Sequence, residues 1–97
     1  MDLTSTDANA VDRLVSLLQQ KGVTLDYPYS AQIKGSAINL RELRAQSSGR
    51  PLRVFYIFDP SRNAVLLIGG DKTGDDRFYD RMIPTAEIVY RRYLKER

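Results

Sequence analysis

The sequence predicts an α+β fold, in which an antiparallel sheet of three or more strands carries a helix from each end of the chain. Apolar residues recur every three or four positions near both termini, which is the pattern of amphipathic helices. The middle of the chain instead holds short apolar runs separated by turn residues, as strands do. A length of 97 residues predicts a single domain, 1–97, with one core.

The first predicted element is a helix over residues 6–21. Ser5 or Thr6 can cap its start, and Gly22 can end it in a left-handed conformation. The apolar positions share one face, which we assign to the core without a chemical role: Val11, Leu14, Val15, Leu17 and Leu18. Residues 23–37 are then expected to form a connector.

Three strands are predicted next, over residues 40–46, 52–58 and 64–68. The second and third are apolar on both faces, and the five-residue turn between them indicates an antiparallel hairpin. A symmetric turn would place Arg53 opposite Gly69. In the first strand, alternation places Arg41 and Arg44 on opposite faces. The register that we expect puts Arg41 beside Arg53, and a slip of one residue would reverse this.

The last element is a helix that starts after a cap at Asp75 or Asp76. Pro84 either opens a second, longer helical piece or kinks a continuous helix.

Composition excludes several kinds of site. The chain has no cysteine and no histidine, so we expect no metal site and no cofactor, and any catalysis must use other side chains. No apolar run approaches the ~20 residues of a membrane span, and the lack of cysteine fits a reducing cytoplasm, where we expect the protein. The net charge is +3, and eleven of the fifteen basic residues are arginine. This composition fits a polyanionic partner and an ordinary solvated surface equally well.

Arg53 is a lone charge in an apolar strand and needs either a carboxylate or open access to an anion. Glu42 or Asp71 can supply the carboxylate. We favour open access, because glycines at a strand end allow close approach of a ligand.

Residues 69–79 carry basic and aromatic side chains from the third strand into the last helix. Together with Arg53 they suit cleavage of a phosphodiester. Arg53 and Arg77 would hold the phosphate, and Lys72 would neutralise the leaving oxygen or accept a proton. Tyr79 would transfer a proton, with a pKa that neighbouring cations lower. Tyr79 or Phe78 can also stack on an unpaired base.

The motifs in residues 27–94 resemble the RelE/HigB-type toxins, often called phage-derived, of type II toxin–antitoxin systems in the RelE/ParE superfamily. They are Pro28-Tyr29 before Lys34-Gly35-Ser36, Glu42-Leu43-Arg44, Arg53-Val54-Phe55-Tyr56, Phe58-Asp59-Pro60, and Gly70-Asp71-Lys72-Thr73 leading to Arg77-Phe78-Tyr79. The resemblance implies a small RelE-like fold and a ribosome-dependent mRNA endonuclease that inhibits translation. In such an enzyme the 2′-hydroxyl attacks the adjacent phosphate without a metal. It also implies three partners: the ribosome, mRNA and a cognate antitoxin, usually of helix-turn-helix type.

The resemblance assigns catalytic roles to three residues, Arg53, Lys72 and Tyr79. Residues expected to contact RNA or phosphate are Lys34, Arg41, Arg44, Arg77 and Phe78. Members of this family usually begin with a strand and another helix ahead of the helix at 6–21. We therefore expect a truncated protein or a mis-assigned start, and an exposed sheet edge that permits a homodimer.

Two alternatives remain open from the sequence. One is a ParE-like protein that poisons DNA gyrase by binding. The other is a truncated, non-toxic remnant that binds antitoxin or dimerises.

Overall fold

The computed structural model describes residues 4–97, which form a four-stranded antiparallel sheet with one long helix on each face. The strand order follows the chain, β1-β2-β3-β4. The α+β prediction is therefore confirmed. The elements are α1 (Ser5–Lys21), a 3₁₀ turn (Gly22–Thr24), β1 (Ser30–Gln32), β2 (Arg41–Ser47), β3 (Arg50–Phe58), β4 (Ala64–Asp71) and α2 (Phe78–Glu96).

Helix α1 begins one residue before the predicted start and is capped by Thr4, so the prediction of a cap at Ser5 or Thr6 is wrong. The Thr4 hydroxyl accepts a hydrogen bond from the Asp7 backbone N–H at 3.1 Å, and the Asp7 carboxylate accepts one from the Thr4 N–H. This reciprocal pair satisfies two N–H groups at the free start of the helix. Gly22 ends α1 as predicted, but not in the left-handed helical conformation: its φ of 56° and ψ of −135° form a conformation that glycine adopts readily and other residues rarely do.

Strand β1 lies within the stretch that was expected to be only a connector. It has three residues, pairs antiparallel with β2, and places Ser30 opposite Leu43. A three-residue strand is too short to show an alternating pattern, so its position is decided by pairing with β2.

The connection between β2 and β3 is a two-residue turn at Ser48 and Gly49, both with positive φ (52° and 76°). These values fit the primed hairpin turns, whose twist matches that of paired strands. The turn fixes a register in which Arg44 lies directly opposite Arg53, and Arg41 opposite Tyr56. The expectation that Arg41 accompanies Arg53 is therefore wrong. That expectation assumed a pairing of β2 with β3 displaced by one residue. Such a displacement moves every side chain of the strand to the opposite face of the sheet.

The β3–β4 hairpin starts as predicted, with Phe58 opposite Ala64. An irregularity between Phe55 and Tyr56 then adds one residue to β4, so Arg53 lies opposite Gly70, not Gly69. This bulge is the reason that the symmetric prediction fails by one residue.

The two faces of the sheet hold separate apolar clusters. The α1 face buries Leu18, Leu25, Leu43, Val54 and Tyr56, and the α2 face buries Ile33, Leu40, Phe55, Phe78 and Ala86. Helix α2 is continuous through Pro84, but no aspartate caps it, because Arg77 occupies the N-cap position without a side-chain hydrogen bond. The cap predicted at Asp75 or Asp76 is therefore wrong. No helix within residues 4–97 is long and apolar enough to cross a membrane.

Strand β4 forms one edge of the sheet, because within residues 4–97 it pairs only with β3. Helix α1 does not fully cover this side of the sheet, and Leu66 is 46% exposed. A groove of about 360 Å³ remains between α1 and β4, with Val15, Phe58 and Leu66 in its wall.

Candidate functional site

The centre of the candidate site is Glu42, a buried acidic residue on the α2 face of β2. Its Oε1 atom accepts a hydrogen bond from the Tyr79 hydroxyl at 2.8 Å and lies 3.5 Å from Arg53 Nε. Its Oε2 atom lies 3.3 Å from Arg44 Nη1. One carboxylate therefore connects two strands of the sheet with the first turn of α2.

Arg44 and Arg53 are cross-strand neighbours, and like charges in that position repel each other. Glu42 contacts both and offsets the repulsion. Arg41 is on the other face, where its Nε atom donates to the Tyr56 hydroxyl at 3.2 Å and its Nη2 atom donates to the hydroxyl of Ser30. The structure thus brings Arg44, and not Arg41, to the candidate site.

Arg53 is only 3% exposed, so the expectation of open access to an anion is wrong. Its Nη1 atom donates to the backbone carbonyls of Leu52 and Ala45, at 3.0 and 3.4 Å. Its Nε atom is close to Glu42 but not aligned for a hydrogen bond, and has no hydrogen-bonding partner in the structure. The carboxylate alternative raised by the sequence is correct, with Glu42 as the partner, while Asp71 pairs with Arg50 instead.

The glycine opposite Arg53 makes room for α2, not for a ligand. A Cβ atom at Gly70 would lie 2.9 Å from the ring of Phe78. Phe78 is 1% exposed and stacks on Phe55, with 5.9 Å between ring centroids. It therefore cannot stack on an RNA base, and that expectation is wrong.

Tyr79 follows Phe78 and forms part of the rim of the site, half-buried. Burial raises the pKa of its phenol, and the carboxylate of Glu42 raises that pKa further, whereas Arg53 opposes the shift. The expectation that cations lower this pKa is wrong, because the carboxylate and burial outweigh them. The hydroxyl therefore keeps its proton at neutral pH and can donate it.

Two lysines lie around Tyr79. The ammonium of Lys72 is 5.2 Å from the centre of its ring, a cation–π geometry. Lys34 is exposed and lines a shallow groove together with Tyr79 and Ile83. Glu87 of α2 holds this loop, because its Oε2 atom accepts hydrogen bonds from Ser36 Oγ and the Ala37 N–H, both at 2.8 Å.

The predicted site residues thus separate into two groups. Arg44, Arg53 and Tyr79 contact Glu42, Lys34 borders the groove beside it, and Lys72 lies over the ring of Tyr79. Arg41 lies on the opposite face and Phe78 in the core, while Arg77 is exposed and takes no part in the contacts of Glu42.

The sequence predicts Glu42 as an ion-pair partner of Arg53 and as a motif residue, but not as the centre of the site, and it predicts no functional role for Tyr27 or Tyr29. Glu42 is the only acidic residue of β2, and alternation puts it on the same face as Arg44. That pattern could have identified it. The two exposed tyrosines carried a weaker signal, since they flank Pro28 in a stretch without periodicity.

Chemically, the arrangement offers a protonated phenol beside a carboxylate, with cations on several sides. It can bind an anion at its rim and donate a proton to it. Among residues 4–97, no group of three acidic side chains converges in a way that could hold a metal ion.

A small antiparallel sheet between two helices, with arginine, carboxylate and tyrosine side chains meeting on one face, is the architecture expected of the RelE/HigB class of toxins. The chain matches the family described as Phage derived protein Gp49-like over residues 2–91. It belongs to this family, and the resemblance found in the sequence is confirmed.

Two curated relatives come from Mycobacterium tuberculosis. The protein named "Putative toxin HigB3" is 40% identical over 80 residues, covering 80% of this chain and 68% of the relative. The protein named "Putative toxin HigB2" is 33% identical over 85 residues, covering 84% of this chain and 42% of the relative. The chain thus spans about two thirds of the first relative and less than half of the second. No solved structure matches the chain significantly.

Proposed function

We propose that this protein is the toxin of a type II toxin–antitoxin pair and cleaves mRNA on the ribosome. The observation that carries the proposal is the convergence on Glu42 of three residues singled out in the sequence, Arg44, Arg53 and Tyr79. Membership of the Gp49-like family and the names of the two relatives support the toxin role. The resemblance to RelE/HigB-type toxins supports mRNA on the ribosome as the substrate.

In the proposed reaction the 2′-hydroxyl of one nucleotide attacks the adjacent phosphate, and the bond to the 5′-oxygen of the next nucleotide breaks. The 2′-hydroxyl loses its proton to water as its oxygen bonds to phosphorus. The Tyr79 hydroxyl turns from Glu42 towards the leaving 5′-oxygen and donates its proton to it, and the phenolate then regains a proton from solvent. Lys72 lies over the ring of Tyr79 and Arg44 contacts Glu42, and the two cations would offset the charge that grows on the phosphate. Lys34 extends the positive surface along the groove.

Arg53 has a different role from the one that the sequence predicts, because its buried guanidinium cannot reach a substrate. We propose that it positions Glu42, and through Glu42 the hydroxyl of Tyr79. An alanine at Arg53 would leave the buried Glu42 short of one counter-ion, so it would test folding as much as function. Tyr79→Phe is the sharper variant, since it removes a single oxygen at the rim.

The test is induction of the chain in a host that lacks the antitoxin, followed by primer extension on translated mRNA. Wild type should arrest growth and produce discrete cleavage ends. Tyr79→Phe should lower cleavage by roughly 10²–10⁴-fold, the usual contribution of a positioned acid or base. Tyr90→Phe, a matched change in the second half of α2, should behave as wild type. Unchanged cleavage by Tyr79→Phe would remove the phenol from the mechanism.

The same cells separate the two alternatives from the sequence. A ParE-like gyrase poison would change plasmid supercoiling and leave mRNA intact. A non-toxic remnant would accumulate as folded protein without growth arrest.

Two protein partners complete the proposal. The first is a cognate antitoxin, usually a helix-turn-helix protein in toxins of this type. The second is another copy of this chain. Among the described residues β4 is an edge strand of eight residues, and its outer N–H and C=O groups can pair with a second β4.

A further inference from the structure

The loop that leads into β1 exposes two aromatic rings that are separated by one residue in the sequence. Tyr27 is 73% exposed and Tyr29 is 48% exposed, on either side of Pro28. Neither belongs to the two apolar clusters of the fold. Packing of the core therefore does not explain why this short loop carries two large rings.

Arg44 joins this loop to the candidate site. Its guanidinium carbon lies 5.6 Å from the centre of the Tyr27 ring, and its Nη1 atom lies 3.3 Å from Glu42. Its backbone N–H also donates to the carbonyl of Tyr29 at 2.9 Å. A single arginine side chain thus spans the distance between the tyrosine loop and the carboxylate that holds Tyr79.

We propose that Tyr27 and Tyr29 form a stacking platform for an unpaired base of the RNA strand on which Tyr79 acts. This inference rests on the proposed function, because RNA is taken as the ligand from the cleavage reaction proposed for the neighbouring Tyr79. The aromatic faces suit any unpaired base, and Arg44 is already held between the platform and the site, where the backbone phosphate would pass. Stacking discriminates little between bases, so the platform would grip RNA without a strict sequence preference.

The charges around the loop favour a polyanion over a basic or an apolar protein segment. Arg44 and Lys34 are positive on this side, and the adjacent Asp26 is partly balanced by Arg41, whose Nη2 atom is 3.8 Å away. The rings are exposed singly around a proline and do not form a closed apolar groove, which a docking helix would need.

The experiment measures binding of the full chain to a short fluorescein-labelled oligoribonucleotide made uncleavable by 2′-O-methyl groups. Fluorescence anisotropy should show that Tyr27→Ala and Tyr29→Ala weaken binding by roughly 5- to 100-fold, the usual effect of losing one base–aromatic stack. Tyr27→Phe and Tyr29→Phe keep the ring and should bind about as well as wild type. Tyr93→Ala, a tyrosine of α2, is the matched control and should also bind as wild type.

Three results would overturn the inference: wild type that does not bind the oligoribonucleotide, alanine variants that bind as wild type, or phenylalanine variants that lose as much affinity as alanine. If the alanine variants bind RNA normally but bind antitoxin poorly, the loop is a protein-docking surface instead. Growth arrest by wild type is scored separately. If wild type arrests growth but does not bind the oligoribonucleotide, only the stacking platform is refuted. If the variants bind as expected but wild type does not arrest growth, only the cleavage proposal is refuted.

Discussion

At the scale of single residues, Glu42 is the residue that connects the other side chains of the candidate site. Arg53 is buried in β3, and its guanidinium needs a nearby negative charge. Glu42 supplies that charge and also accepts the hydrogen bond from Tyr79. The same carboxylate therefore stabilises the fold and fixes the position of the Tyr79 hydroxyl, which we propose to act on RNA.

Glu42→Gln should destabilise the protein by about 3 kcal/mol, because it leaves the buried Arg53 without its charged partner while keeping the size of the side chain. Chemical denaturation at neutral pH measures this loss. Glu87→Gln is the matched control, since Glu87 accepts hydrogen bonds only from the neutral groups of Ser36 and Ala37, and its effect should be smaller. Equal denaturation midpoints for Glu42→Gln and wild type would contradict the assigned ion pair.

The pKa of Tyr79 gives a second prediction at this scale. It is raised above its usual value of ~10 by burial and by Glu42. The stability associated with this shift is fully present below pH ~10 and is lost as the pH rises through the folded-state pKa. Subtracting the tyrosinate absorbance of Tyr79→Phe from that of wild type isolates this titration. In Glu42→Gln the Tyr79 titration should move to lower pH, and an unchanged or higher pKa would show that the carboxylate does not act on the phenol.

At the scale of elements, the contact between β4 and α2 sets the position of the site. Gly70 lets Phe78 lie against the sheet, and Tyr79 is the next residue of the helix. A small residue in a strand thus determines how closely the start of α2 approaches Glu42.

Gly70→Ala should destabilise the protein by roughly 1–3 kcal/mol, because the new Cβ atom would lie 2.9 Å from the Phe78 ring in a packed core. Displacement of Phe78 should also move Tyr79 and lower cleavage. Thermal unfolding and primer extension measure the two effects. Phe78→Leu should cost less stability in the Gly70→Ala background than in wild type, because it removes the ring atoms that the new Cβ atom meets. An equal or larger cost in that background would refute the steric explanation.

The sequence predicts the types of these elements well, because periodicity reflects burial. The helix expected at 6–21 is Ser5–Lys21, and the strand expected at 52–58 is Arg50–Phe58. β1 could not be predicted, since three residues show no period and the strand depends on pairing with β2.

Register is harder to predict than element type, and it decides which residues meet at the site. Alternation correctly separates Arg41 from Arg44, but only the Ser48-Gly49 turn shows which of them faces Arg53. The bulge in β4 likewise moves Gly70 to the place predicted for Gly69. The burial of Arg53 and Phe78 follows from the packing of α2, which no local pattern in the sequence contains.

At the scale of the whole molecule, the β4 edge and the groove beside α1 are the surface that we propose for a second copy. Leu66→Lys would place a charge on this edge, which is how natural sheets avoid edge pairing. Sedimentation equilibrium should then show a dimer for wild type and a monomer for Leu66→Lys. Ile88→Lys is the control, a similarly exposed apolar residue of α2. A wild-type monomer at all concentrations, or a dimer lost only in Ile88→Lys, would reject β4 as the interface.

The fold as a whole is joined at its N-terminal end by Asp7, a buried carboxylate in the first turn of α1. Its Oδ1 atom accepts a hydrogen bond from the Ser47 hydroxyl at 2.6 Å and another from Arg50. Arg50 in turn donates to Asp71 at the end of β4, at 3.0 Å. One small network therefore connects the first helix, the β2–β3 hairpin and the last strand.

This network predicts how the whole molecule responds to acid. The hydrogen bonds from Arg50 and Ser47 lower the pKa of Asp7 from 3.8 to about 2. Because the folded-state pKa lies below the unfolded one, the stabilisation is present above pH ~4 and is lost as the pH falls towards 2. Asp7→Asn should therefore be less stable than wild type at neutral pH, and the two should converge in acid. Denaturation midpoints measured across this pH range provide the test, with Asp12→Asn on the exposed side of α1 as the control. A constant difference between wild type and Asp7→Asn at every pH would mean that the charge of Asp7 does not hold these three elements together.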